Sequence, residues 1–190
     1  VDPATLDTRE KKLALYMNGY SLITLDLIVR KYIETGTPGN RSILKIKRES
    51  ENEAERTELK FDVWKVYGGK VAGKKMSLDD LEHKLIRPLG DPRIHFAINC
   101  ASEGCPPLSP KAFRANDVNR QLQELSVQFV SAADERRIKI DLATKTILAS
   151  EVLDWFKSDF EKFYPGEPHP RLRFVIEHLS QSNEKEILKR

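Results

Sequence analysis

Apolar residues fall on nearly every side of the stretch Thr8 to about Ile33, with Gly36 and Pro38 just beyond it, so the pattern predicts one long helix. A helix apolar all round belongs at the centre of its fold. Lys45 to Lys60 (KIKRESENEAERTELK) is densely charged with few apolar positions, and predicts a solvated helix or loop. FDVWKVYGGKVAG then alternates apolar and polar residues around Gly68-Gly69, which predicts a β-hairpin turning at that pair. Ser77-Leu78-Asp79-Asp80 has N-cap spacing and opens a helix to about Leu89, stopped by Pro88, Gly90 and Pro92. RIHFAIN follows as a strand, and Cys100 to Pro110 as a stiff loop rich in proline. Val118, Leu122, Leu125 and Phe129 recur at helical spacing, predicting a helix over Asn116 to about Ala132. A second hairpin pairs Ile138-Lys139-Ile140 with Thr146-Ile147-Leu148. Helices near Glu151 to Phe163 and Pro170 to Leu179 close the chain, the first burying Val152, Phe156, Phe160 and Phe163.

Neither a repeat nor a linker interrupts this order, and 190 residues suffice for one core, so residues 1–190 are expected to form a single domain. With 39% hydrophobic and 32% charged residues the composition is globular. The net charge of +3 comes from 32 basic and 29 acidic residues that are interspersed, not gathered on one face, so nucleic acid is not an expected partner. The longest apolar run, Leu22 to Val29, is broken by Thr24 and Asp26, and predicts a soluble chain without a transmembrane segment. The sequence begins at Val1 and not at Met, so periplasmic, secreted and cytoplasmic locations are not distinguished.

Candidate chemistry lies where polar groups break an apolar pattern. On a wheel of about 100° per residue, Leu78, Leu81, Leu85, Ile86 and Leu89 share one side, and Glu82 falls inside their stripe about 40° from Leu78. Glu82 is therefore expected to face the core and to need a partner, whereas His83 faces water. The same reading aligns Asn18 with Leu22, Leu25 and Val29 and predicts it buried, a backbone hydrogen bond being its bland explanation. If RIHFAIN is a strand, His95, Ala97 and Asn99 share one face, and the small Ala97 leaves a shallow place between two polar groups. Cys100 follows that strand. Cys105 stands in Glu103-Gly104-Cys105-Pro106-Pro107, a stiff corner of a polar loop. Two cysteines are too few for a four-ligand zinc site and their spacing matches no common zinc pattern, so neither a metal nor another cofactor is expected. A Cys100–Cys105 disulfide is the competing reading.

The blocks LALYMNGYSLITLDLIV, SLDDLEHKLIR and DPRIHFAINCASEGCPPL, with VWKVYGG before the second, resemble the domain-of-unknown-function 547 family over about Leu13 to Phe129. The third block is the most specific. That family has no settled activity. The resemblance implies a thiol-type set in which Glu82, His95 and Cys105 are the catalytic residues, with Asn18, Tyr20, Asn99 and Cys100 in support. One departure is Ser21, which stands where an Asn after the Tyr is common in the family. The fold class expected is α+β, a small antiparallel sheet of hairpins packed by several helices around one long central helix. Its finer expected style is papain-like or transglutaminase-like.

Three functions follow from these residues. The first is a cysteine-nucleophile enzyme of hydrolase, acyltransferase or thiol-exchange type, in which His95 activates Cys105 and Glu82 orients the ring. The second is a non-catalytic module binding a small thiol or peptide, glutathione-like among them, or a partner protein. The third is purely structural, with a disulfide and a buried His95–Glu82 pair.

Overall fold

Residues 3–35, 63–66, 68–99, 105–132, 137–141, 144 and 146–179 are described by the structure, a computed structural model. The charged stretch Lys45 to Lys60 and Cys100 lie outside the described residues. The architecture is mixed: helices with two small antiparallel hairpins, an α+β arrangement.

Helix α1 (Arg9–Thr35) starts where the Thr8 hydroxyl accepts the Lys11 N–H at 3.2 Å. Leu13, Met17, Tyr20, Ile23 and Leu27 recur every three or four residues and are buried. Leu22, Leu25, Ile28 and Val29 are exposed. The helix is thus buried along one face, and central to one core only, because its packing partners meet the Leu13–Leu27 face.

A single helical turn, α2 (Val63–Val66), replaces the first strand expected from alternation and half-buries Trp64 against that core. Strands β1 (Gly68–Val71) and β2 (Lys74–Ser77) form the hairpin one step later than expected, with Gly68 opposite Ser77 and Val71 opposite Lys74. The turn is Ala72-Gly73, both at positive φ (49° and 80°), the hand that matches strand twist. Gly68 and Gly69 serve close packing instead. A Cβ on Gly68 would lie 1.9 Å from the Met76 carbonyl oxygen, and one on Gly69 would lie 3.0 Å from Ile23 of α1.

The Ser77 hydroxyl accepts the Asp80 N–H at 3.0 Å and caps the next helical stretch, as its spacing predicts. The stretch runs as an α-turn, α3 (Leu78–Asp80), a π-helical turn (Leu81–Ile86) and a 3₁₀ turn (Arg87–Leu89), ending at Gly90 in the left-handed region at φ 72°. Leu81, Glu82 and Ile86 are buried and His83 is exposed, so the wheel placed both neighbours on the correct side.

RIHFAIN is not a strand. Pro92–Phe96 forms a 3₁₀ helix whose first turn is capped by Asp91, Oδ1 accepting the Arg93 N–H at 3.1 Å. Asp-Pro is a helix-start signal, and it wins over an apolar alternation too short to exclude either element. The consequence is a seam. Ile94, Ala97 and Ile98 enter the core around α1, while Phe96 enters a second core with Phe129, Phe160 and Phe174. Asp91, fully buried, also binds Arg9 at 3.0 Å and Arg93 at 2.8 Å, tying the start of α1 to the seam. Burial alone would raise its carboxyl, but the two arginines outweigh that and hold it below the usual range.

Helix α4 (Val118–Val130) crosses both cores, giving Val118 and Leu122 to the first and Phe129 and Val130 to the second. Strands β3 (Ile138–Asp141) and β4 (Thr146–Ala149) pair as expected, Ile138 opposite Ala149. The helix expected near Glu151 to Phe163 is broken at Phe156 into α5 (Val152–Trp155) and α6 (Lys157–Phe163), and α7 (Pro170–His178) closes the second core. Among the described residues no helix is long and apolar enough to cross a membrane.

Candidate functional site

The 3₁₀ turn places His95 at the break between α5 and α6. There its ring stacks on Phe156, centroids 3.7 Å apart and planes 10° from parallel. His95 Nε2 lies 2.8 Å from Asp159 Oδ2. Burial lowers the imidazole pKa, so the ring is neutral, and an ionised carboxylate only accepts; Nε2 therefore carries the proton. That leaves Nδ1 as a bare lone pair, buried and, among the described residues, without a hydrogen-bond partner.

Asp159 is held from the other side by a bidentate arginine. Arg87 Nε donates to Oδ2 at 2.7 Å and Nη2 to Oδ1 at 3.0 Å. Burial would raise the Asp159 carboxyl, but hydrogen bonds from His95 and Arg87 outweigh it and keep it well below the usual carboxylate range. The Arg87 guanidinium also sits 5.1 Å over the Phe156 ring and donates through Nη1 to His83 Nδ1 at 2.7 Å. The result is a chain from surface to interior: His83, Arg87, Asp159, His95. Above it a cleft of about 440 Å³ is lined by His83, Arg87, Pro88, Gly90, Asp159 and Lys162.

Glu82 does not belong to that chain. It is 6% exposed on the π-helical turn and lies within electrostatic reach of Tyr20, itself buried on α1. Burial pushes the Glu82 carboxyl up to about 7, against the opposing charge of Arg87. Burial and the Glu82 charge together raise Tyr20 far above its ordinary value, so the phenol stays a neutral donor. The expectation that Glu82 orients His95 is therefore corrected: Asp159 has that place, because the seam is a 3₁₀ turn and presents the ring to α6.

The remaining expected residues are dispersed. Asn18 is half-buried and clamps the backbone of Phe113, its Nδ2 donating to the carbonyl at 2.9 Å and its Oδ1 accepting the N–H at 2.8 Å. That is the bland role. Its supposed companions Leu22, Leu25 and Val29 are exposed. Asn99 donates to the carbonyl of Pro106 and braces the loop after the seam. Cys105 is 7% exposed, packed in the second core, and disulfide-bonded. The chain has one other cysteine, Cys100, outside the described residues. The structure thus brings together Glu82 with Tyr20, and His95 with a residue not anticipated.

Asp159 could have been found. On the wheel of about 100° per residue it lies about 20° from Val152, at the edge of the stripe of Val152, Phe156, Phe160 and Phe163, a weaker form of the signal that picked out Glu82. Arg87 carried no such signal, since its partner is 72 residues away. Among the described residues no three His, Cys, Asp or Glu side chains converge as metal ligands would.

A family model described as "Protein of unknown function, DUF547" matches residues 3–130, about two thirds of the chain. Phe156 and Asp159 lie beyond that match, so part of the site comes from the C-terminal helices. No curated protein and no solved structure matches the chain.

Proposed function

We propose that this chain, which belongs to the DUF547 family, is a binding module whose site is the cleft over Arg87 and Asp159 and whose ligand is a small thiol or peptide. The observation carrying this reading is the state of Cys105: bonded in a disulfide and packed among apolar side chains, it offers no thiolate to attack a substrate. The cleft, in contrast, lies in the size range of small-ligand sites and two of its charged groups, Arg87 and Asp159, are already fixed by hydrogen bonds, so these need little ordering on binding. Calorimetric titration of the oxidised protein with short peptides and small thiol compounds tests it. The expected outcome is saturable binding that iodoacetamide leaves unchanged, without turnover.

A second reading, a cysteine-nucleophile hydrolase, acyltransferase or thiol-exchange enzyme, is favoured by His95. Its Nε2 is held by a carboxylate while Nδ1 keeps a free lone pair, the state a general base requires. Asp159 would take the orienting role there, reduced Cys105 the nucleophilic one, and a papain-like or transglutaminase-like layout would accompany it. Thioester or peptide hydrolysis that appears on reduction and vanishes in both Cys105→Ala and His95→Ala would establish this reading over the first.

A further inference from the structure

Resting on the binding-module reading, we infer that the cleft takes its ligand by a carboxylate, received between Arg87 and Lys162. The permanently charged groups of the lining are Arg87, Lys162 and Asp159, which sum to one net positive charge and match a monoanion. A phosphate dianion would overfill that balance and meet the Asp159 oxygens. A cation meets Asp159 only where Arg87 and His95 already occupy its carboxylate.

The donors fit as well. A guanidinium has five N–H groups. Arg87 spends two on Asp159 and one on His83, leaving one on Nη1 and one on Nη2 for a ligand. Because Asp159 fixes the guanidinium plane, those two donors are already aimed, which is how a planar fork selects a carboxylate. Lys162 is exposed on α6 and, among the described residues, enters no ion pair, so its ammonium is available as the second contact. Gly90, another lining residue, is at positive φ with open space where a Cβ would stand, so it adds no side chain to the cleft.

The test compares S-methylglutathione, which carries carboxylates and no free thiol, with its diethyl ester, by calorimetry on the oxidised protein. The acid should bind and the ester should bind about tenfold more weakly or worse, the loss expected for charge-assisted hydrogen bonds. Lys162→Gln, at an exposed position that folding does not need, should weaken the acid about three- to fivefold and leave the ester unchanged. Acid and ester binding equally would overturn the carboxylate inference and leave the module standing. Neither compound binding would overturn both.

Discussion

Glu82 and Asp159 are carboxylates set into the apolar stripes of two helices, each beside an aromatic ring, and they end in opposite states. Glu82 has the neutral phenol of Tyr20 nearby, and burial pushes it up to about 7. Asp159 receives a bidentate arginine and a histidine N–H, and stays ionised well below the usual range. The difference lies in the partners, not in the helix: Glu82 feels Arg87 only as a nearby charge that burial outweighs, whereas Asp159 takes direct hydrogen bonds from Arg87 and His95 that outweigh burial. The carboxylate that meets the imidazole is the ionised one. This is why the site is organised around Asp159, although Glu82 is the more deeply buried.

Removing the ionised member should have the largest effect. Asp159→Ala leaves Arg87 and His95 without their acceptor, and is expected to lower unfolding free energy by about 2–4 kcal/mol in urea titrations at pH 7. Next comes the pH dependence of Glu82. Its folded pKa of about 7 lies above the ordinary 4.5, so the folded state holds the proton more tightly. The associated stability is complete below pH 4.5 and is lost as pH rises towards 7. Glu82→Gln should remove that slope, leaving the variant about 2–3 kcal/mol less penalised than wild type at pH 8. Asp159 has the reverse sign. Its lowered pKa contributes stability above its ordinary value of 3.8 that disappears as pH falls below it, and Asp159→Asn should flatten that acid limb. The smallest effect belongs to exposed His83: His83→Ala should shift the midpoint by no more than about 0.5 kcal/mol. Identical pH profiles for Glu82→Gln and Asp159→Asn would erase the contrast.

The legible parts of the sequence were those settled within a few residues. The Ser77 cap, the stop at Gly90, the second hairpin and the burial of Glu82 beside exposed His83 all follow from local spacing. The first hairpin misled because Gly68-Gly69 looks like a turn, yet it is a close approach to Met76 and Ile23, which only the paired strand and α1 reveal. Ile94 to Ile98 misled because alternating apolar residues serve a strand or, when two cores meet, a tight helix buried on every side. The Asp91-Pro92 start was the deciding clue. The thiol set was assembled from three nearby motifs, whereas the real partner of His95 stands 64 residues downstream, outside the family match. Long-range pairing of that kind leaves only an indirect trace, a polar residue bordering an apolar stripe, and Asp159 left it.

The organisation of the site around Asp159 requires His95 to be a neutral imidazole held through Nε2 by that carboxylate. Nitrogen-15 NMR of the His95 ring at pH 6.5, its ordinary pKa, measures this directly. A single protonated nitrogen, Nε2, with Nδ1 bare, is expected, and the preference for Nε2–H should weaken in Asp159→Ala. A ring protonated on both nitrogens at that pH, or one carrying its proton on Nδ1, would contradict it.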